Sequence, residues 1–171
     1  MLQPESVVNF EIYEDSANFL GVATVKLPEI NFLTQDISGS GIAGNVEAVL
    51  IDMFDKMTAT INFRSITDAA VSLLKPVKHL LDMRVAEQLW DTVSTQRTIQ
   101  ADKYILGVIP KKLAPGDIAP ATTSNTSGEY SAYYYAGYRD GKQLWEIDQF
   151  NYIFKVLGVD YSAAIRKALG K

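Results

Sequence analysis

Gly39-Ser-Gly-Ile-Ala-Gly44 carries the spacing G-x-G-x-x-G. In a strand-to-helix turn that spacing lets backbone amides cradle a pyrophosphate. The chemistry needs a buried strand before the glycines and a helix after them. Here Leu33-Thr-Gln-Asp-Ile-Ser38 comes first, too polar for a buried parallel strand, and a Thr-rich strand pattern follows. The segment reads as a glycine loop suited to close backbone approach. A small dinucleotide-binding enzyme using Gly39 to Gly44 is the rival reading from another class. His79 is the only histidine, so no paired-His metal site can form. No serine sits in a G-x-S-x-G elbow beside which it could act as a base. It reads as a partly exposed residue opening a strand after Pro76. Glu146 and Asp148 lie two apart and share a strand face, as a glycosidase pair would, or as a solvated or inter-subunit charge row does. Tyr130, Tyr134 and Tyr138 are expected on one strand face and Tyr133 and Tyr135 on the other. Aromatics on both faces suit a strand buried against its own core and a neighbouring subunit better than a stacking platform. No catalytic, cofactor or metal site is expected, and the chain does not read as an enzyme.

The elements that position these residues are mostly strands. Val7–Tyr13 and Gly21–Leu27 read as the first two, the second ended by Pro28, which cannot donate to a ladder. Thr34–Asn45 reads as a long glycine-rich loop. From Val46 to Arg64 two strands are expected around a turn near Asp55-Lys56. Thr67 is placed to cap a short helix that ends by Pro76. His79 to Ile109 reads as two long strands broken near Asp91–Thr95, and Lys111–Ser127, with its prolines and Thr/Ser run, as a surface loop. Asp140-Gly141 between alternating segments is the strongest hairpin signal in the chain. Strand-like residues then run from Asn151 to Asp160, and a short basic amphipathic helix closes the chain.

The totals agree with a strand-rich, globular protein. At 171 residues the chain reads as a single domain, 1–171, and 47% apolar against 21% charged residues excludes disorder. A net charge of −4 argues against wrapping nucleic acid, which needs clustered cations to displace counterions. Without cysteine there are no disulfides, thiolate metal sites or cysteine nucleophiles. No apolar run reaches the ~20 residues of a membrane span, and Met1-Leu-Gln-Pro-Glu5 lacks the start of a signal peptide. The expectation is a soluble protein made in a cytoplasm, without stable membrane association.

Several blocks, in this order and spacing, resemble the major tail tube proteins of contractile-tailed bacteriophages and of phage-tail-like bacteriocins. They are Gly21-Val-Ala-Thr-Val-Lys-Leu-Pro28, Ile37-Ser-Gly-Ser-Gly-Ile-Ala-Gly44 and Met57-Thr-Ala-Thr-Ile-Asn-Phe-Arg64. Asp140-Gly141-Lys142, Glu146-Ile147-Asp148, Asn151 and Gly158-Val159-Asp160 complete the set. The resemblance implies a mainly β fold of two packed antiparallel sheets, a sandwich or barrel with one flanking helix and a short C-terminal helix. It implies hexameric rings that share a continuous inner β-barrel and stack into a hollow tube, a conduit or puncturing rod. The implied partners are other copies of the chain, a sheath protein, a tape-measure protein, a baseplate initiator and a tail terminator, with DNA passing transiently. The implied place is a virion tail or tail-like particle, built in the bacterial host cytoplasm. The tube of a related bacterial secretion system is the runner-up. Gly39, Gly41 and Gly44 would form a ring-stacking loop that orders against the adjacent ring. The lumen wall is expected on the most polar strand faces, Asp82, Arg84 and Gln88 in one strand and Thr98, Gln100 and Asp102 in the next.

Overall fold

A computed structural model describes residues 1–15, 18–21 and 24–171. Its strands are β1 (Leu2–Glu14), β2 (Asn18–Phe19), β3 (Thr24–Lys26), β4 (Phe32–Ile37), β5 (Val46–Phe54), β6 (Met57–Asn62), β7 (His79–Asp91), β8 (Gln96–Ala114), β9 (Ser127–Arg139), β10 (Lys142–Asp148), β11 (Ile153–Val156) and β12 (Val159–Asp160). Helix α1 (Asp68–Ser72) falls between β6 and β7, and α2 (Ala163–Ala168) follows β12. The fold is mainly β in antiparallel sheets, with the two short helices expected.

Local chemistry explains most of the turns. Asp140 and Gly141 take φ of 46° and 80°, two successive left-handed residues that close a tight hairpin with Arg139 opposite Lys142. Leu157-Gly158 repeats the device at φ of 50° and 84° between β11 and β12. The turn after β7 is held by Asp91, whose carboxylate accepts from the Val93 amide and the Ser94 hydroxyl. Thr67 caps α1 as expected, its hydroxyl accepting from the Ala70 amide at 3.2 Å.

The large sheet runs β12-β11-β10-β9-β8-β7-β1-β2. β8 follows β9 along its whole length, and on the other edge β9 has two partners in succession. β6 takes Ser127–Ala132, with β3 beyond it, and β10 takes Tyr134–Arg139. The sheet therefore splits into two leaves at Tyr133, where a register shift opposite Gly107/Val108 leaves one residue unpaired. The core fills the fold between the leaves. It contains Met57, Ala59 and Ile61 of β6, Leu81 and Met83 of β7, Leu106 and Val108 of β8, and Ala70 and Leu73 from α1. β4 and β5 form a separate two-stranded ribbon.

Several boundaries differ from the sequence reading. Thr34–Ile37 is not loop but strand, paired with Val46–Val49, so the glycine loop shrinks to 38–45. β1 starts at Leu2, five residues early, because Pro4 is tolerated on an edge strand. β8 runs on to Ala114 and places Lys112 opposite Glu129. Of the expected strand Gly21–Leu27, residues 24–26 form β3, and 22 and 23 lie outside the described residues. The tyrosines also regroup. The extra residue at Tyr133 puts Tyr130 and Tyr135 together in the core and leaves Tyr134 on the opposite face. Burial pushes the Tyr130 phenol up to about 12 and that of Tyr135 upward as well, so both are neutral packing groups.

Candidate assembly interface

The glycine loop connects two antiparallel strands, β4 and β5, and so does not open a helix as the pyrophosphate fingerprint requires. Gly39, Gly41 and Gly44 have φ of 147°, 89° and 97°, and a Cβ on any of them would meet nothing within 4 Å. Their conformations favour glycine, yet among the described residues nothing packs against the place of that Cβ.

The ribbon behind this loop lacks a core of its own. Phe32, Leu33, Ile37, Val46, Val49, Ile51 and Met53 are all exposed, Val49 at 61% and Ile51 at 70%. Apolar groups on both faces of a two-stranded ribbon are unstable alone in water. Its base is anchored. Phe32, Phe54 and Phe154 stack with ring centroids 5.1–5.8 Å apart, and Tyr161 adds to Phe154 at 5.9 Å. Pairing jumps from Phe32–Phe54 to Thr34–Val49, so 50–53 bulge out opposite Leu33. Asp52 takes a φ of 57° there, and its carboxylate accepts from the buried Ser162 hydroxyl. Arg166 of α2 in turn donates to the Tyr152 carbonyl at 2.8 Å and pairs with Asp160, whose carboxyl it holds below the usual carboxylate range. The ribbon is thus fixed at one end and bare at the other.

The charged residues of β7 and β8 divide by face. Register places Asp82 opposite Ile105, Arg84 opposite Lys103 and Gln88 opposite Ile99. Leu89, Glu87 and Val85 oppose Thr98, Gln100 and Asp102. The two expected lumen triplets therefore lie on opposite faces, and one wall can hold only one of them. Asp82, Arg84 and Gln88 face away from the core beside Lys103. Thr98, Gln100 and Asp102 share the face of Leu81 and Met83, beyond the end of the core. Asp82 and Asp102 are only 2% and 4% exposed. Asp82 accepts from Arg84 at 3.1 Å, with the Lys103 ammonium at 3.5 Å. Asp102 is gripped by both arms of Arg139 at 3.1 and 3.2 Å and by the Gln100 amide at 3.1 Å.

The remaining chemical candidates have structural duties. His79 is buried rather than partly exposed, its ring nitrogens against the Glu14 carboxylate and, at 2.9 Å, the Lys75 carbonyl. It ties β1 to the segment after α1. Glu146 accepts from Gln143 at 2.6 Å. Asp148 closes the next turn, accepting from the Phe150 and Asn151 amides at 3.1 Å and the Asn151 side chain at 2.7 Å. No cluster of metal-ligating side chains occurs among the described residues.

The family model described as phage tail tube protein FII matches residues 4–170. The chain belongs to that family. It is a structural subunit of a tail tube. The fold of this tube subunit is similar to chains in three structures of contractile injection systems. One is the PVC sheath/tube terminator in the extended state, at a TM-score of 0.56 and 10% identity, covering 80% of this chain and 97% of that one. The PVC sheath-tube complex in the extended state follows at 0.54 and 10%, covering 79% and 91%. The anti-feeding prophage baseplate, 6-fold symmetrised, gives 0.51 and 8%, covering 82% and 98%. No curated protein sequence matches the chain.

Two features of the tube subunit escaped the sequence reading, the bare ribbon and the Asp102–Arg139 clasp. The clasp joins β8 to the end of β9, directly opposite each other, and hydrogen bonding to Asp102 raises the Arg139 pKa. Arg139→Ala is expected to destabilise the subunit by about 2 kcal/mol, the lower part of the range because the guanidinium is half exposed. Adding Asp102→Asn to Arg139→Ala should recover part of that loss, since the orphaned buried charge is the main cost. Thermal melts of the single and double variants measure it.

Proposed function

We propose that six copies close into a ring, that rings stack head to tail, and that the stack is the hollow inner tube of a contractile tail or tail-like particle. The observation that carries this reading is the ribbon, anchored at its base and apolar on both faces, which only another molecule can cover. A second feature supports it. β1 pairs with β7 along one edge, while among the described residues its other edge pairs with β2 at Tyr13 and Glu14 and accepts from the Leu20 amide at Ile12. The long free edge that remains would invite aggregation unless a neighbouring subunit pairs with it, as closure of a ring achieves. The 6-fold symmetry named for the anti-feeding prophage baseplate supports the count. The sheath-tube and terminator assemblies of the similar structures support a sheath around the tube and a terminator at its end. A tape-measure protein inside the growing tube and a baseplate initiator beneath it complete the set. The work of the particle is that of a conduit or puncturing rod, and the tube of a related secretion system is the neighbouring reading.

In the tube, the face carrying Glu11, Asp82, Arg84, Gln88 and Lys103 lines the channel. Its charges are of both signs, and Asp82 partly neutralises Arg84 and Lys103, which weakens the hold of the wall on phosphate or a polypeptide. Gly39, Gly41 and Gly44 order against the next ring. Negative-stain images of the purified chain at high concentration, with and without an initiator complex, test the reading. Rings or tubes are expected, and a strict monomer under both conditions would overturn it. Gly41→Val should lower tube yield several-fold with little change in melting temperature. A β-branched residue resists a φ of 89°, yet nothing in the subunit packs against that position. Equal yields of variant and parent would count against the stacking role of the loop.

A further inference from the structure

We infer that the acidic face of the β4–β5 ribbon seats on a basic, apolar patch around α1 of a second copy of this chain. The inference rests on the stacked-tube reading and names the surfaces that meet. Between Leu27 and Asp55 the chain has no Lys or Arg, but it has Glu29, Asp36, Glu47, Asp52 and Asp55. Within the ribbon Asp36 stands directly opposite Glu47, both exposed. Like charges opposed across two strands destabilise the pair, and nothing in the ribbon relieves them. The same face carries Thr34 opposite Val49, so it offers an apolar contact beside two carboxylates.

The complement lies elsewhere on the same chain. α1 turns Ala70 and Leu73 into the core, and Val71 and Leu74 are left about half exposed, together with Ile66 and Val77 on either side. Lys75 and Lys78 follow Leu74 and Val77 in the chain, the Lys78 ammonium lying 5.6 Å from the centroid of the Tyr133 ring. Both are exposed, and neither forms an ion pair among the described residues. Lys75 and Lys78 outnumber Asp68 in the first turn of α1 and leave the patch net basic beside its aliphatic groups, the sign that complements two carboxylates beside Val49.

Chain topology separates the two surfaces within one molecule. The ribbon leads into β6 at Met57, whereas α1 follows its other end at Asn62. Five strand steps, roughly 17 Å, lie between those ends. One surface therefore leaves the subunit at each end of β6, as a heterologous, repeating contact requires. A different protein covering the ribbon would need the same basic, apolar complement, which the chain itself already supplies.

Charge exchange tests the pairing. Asp36→Lys/Glu47→Lys and Lys75→Glu/Lys78→Glu are each expected to cut sedimentable tube yield tenfold or more at low salt. Melting temperatures should fall by no more than a few degrees, because all four side chains are exposed and Lys78 gives up a surface contact over the Tyr133 ring. An equimolar mixture of the two variants should restore tubes, since each then meets a complementary partner at both ends, and the chain carrying all four changes should assemble alone. Full yield from either pair variant would overturn the inference while leaving the tube reading intact. So would two folded variants whose mixture and combined form both stay unassembled. A parent chain that never forms tubes would instead remove the reading on which the inference rests. If one pair variant melts early, the tube yield of the other, folded pair variant decides.

Discussion

A chain in which residues 35–48 are replaced by Asn-Gly is expected to fold and melt like its parent and to form no tubes. Thr34 and Val49 are paired across the ribbon, so a two-residue turn can join them without strain. The excised tip adds nothing to the core, and the aromatic anchor of Phe32, Phe54 and Phe154 is retained. The melting temperature should stay within about 2 °C, since roughly 0.5 kcal/mol is the usual scale for changes at surface positions without core contacts. Assembly should fail outright because the excised surface is the one the subunit cannot cover alone. Circular dichroism melts and negative-stain images of the same preparation measure both halves. Tubes of normal abundance from the shortened chain would show that the ribbon is dispensable.

The second large effect lies in the core. Gly137→Val should destabilise the subunit by about 2–3 kcal/mol, lowering its melting temperature by roughly 4–12 °C for a chain of this size. A Cβ at position 137 would stand 2.7 Å from the Trp145 ring. That ring cannot swing aside easily, because Tyr135 stacks on it edge-on at 5.3 Å and Tyr104 flanks it at 5.9 Å. Trp145 faces Gly137 directly in the β9–β10 register, so the glycine is a site of close approach and not a turn. Trp145→Leu in the Gly137→Val chain should recover part of the loss. If Gly137→Val melts within about 1 °C of the parent, a shift that corresponds to well under 1 kcal/mol, the packing argument fails.

What was legible in the sequence was local. Asp140-Gly141 announced its hairpin because two successive positive φ values suit few other residue pairs, and Thr67 announced a helix start. The β7–β8 hairpin was legible too, since Met83, Val85 and Leu89 are interleaved with polar residues before the Asp91 turn. The ribbon was hidden for the opposite reason. Exposed on both faces and interrupted at 50–53, it carries no two-residue alternation. The two lumen triplets part company on parity. Thr92 to Thr95 place four residues in the turn, so Asp91 opposes Gln96 and even positions of β7 share a face with odd positions of β8. All six expected residues have even numbers. Alternation along each strand was sound, but the relation between strands depended on one turn length. Tyr133 upset the tyrosine pattern in the same manner, with a single inserted residue that no composition signals. His79 lay beyond sequence reasoning, since its partner Glu14 is 65 positions away.

β9 gives hydrogen bonds to β8, β6 and β10, so neither leaf can detach without opening the same strand. Amide exchange should accordingly separate two populations. Protons in the middle of β9 escape only when the whole domain unfolds, and their protection reports its global stability. Those in the ribbon, held to the body at the base alone, escape through private openings that leave the domain intact. The subunit thus keeps a rigid scaffold and a loosely held arm in separate cooperative units, and a partner can order the arm without disturbing the scaffold.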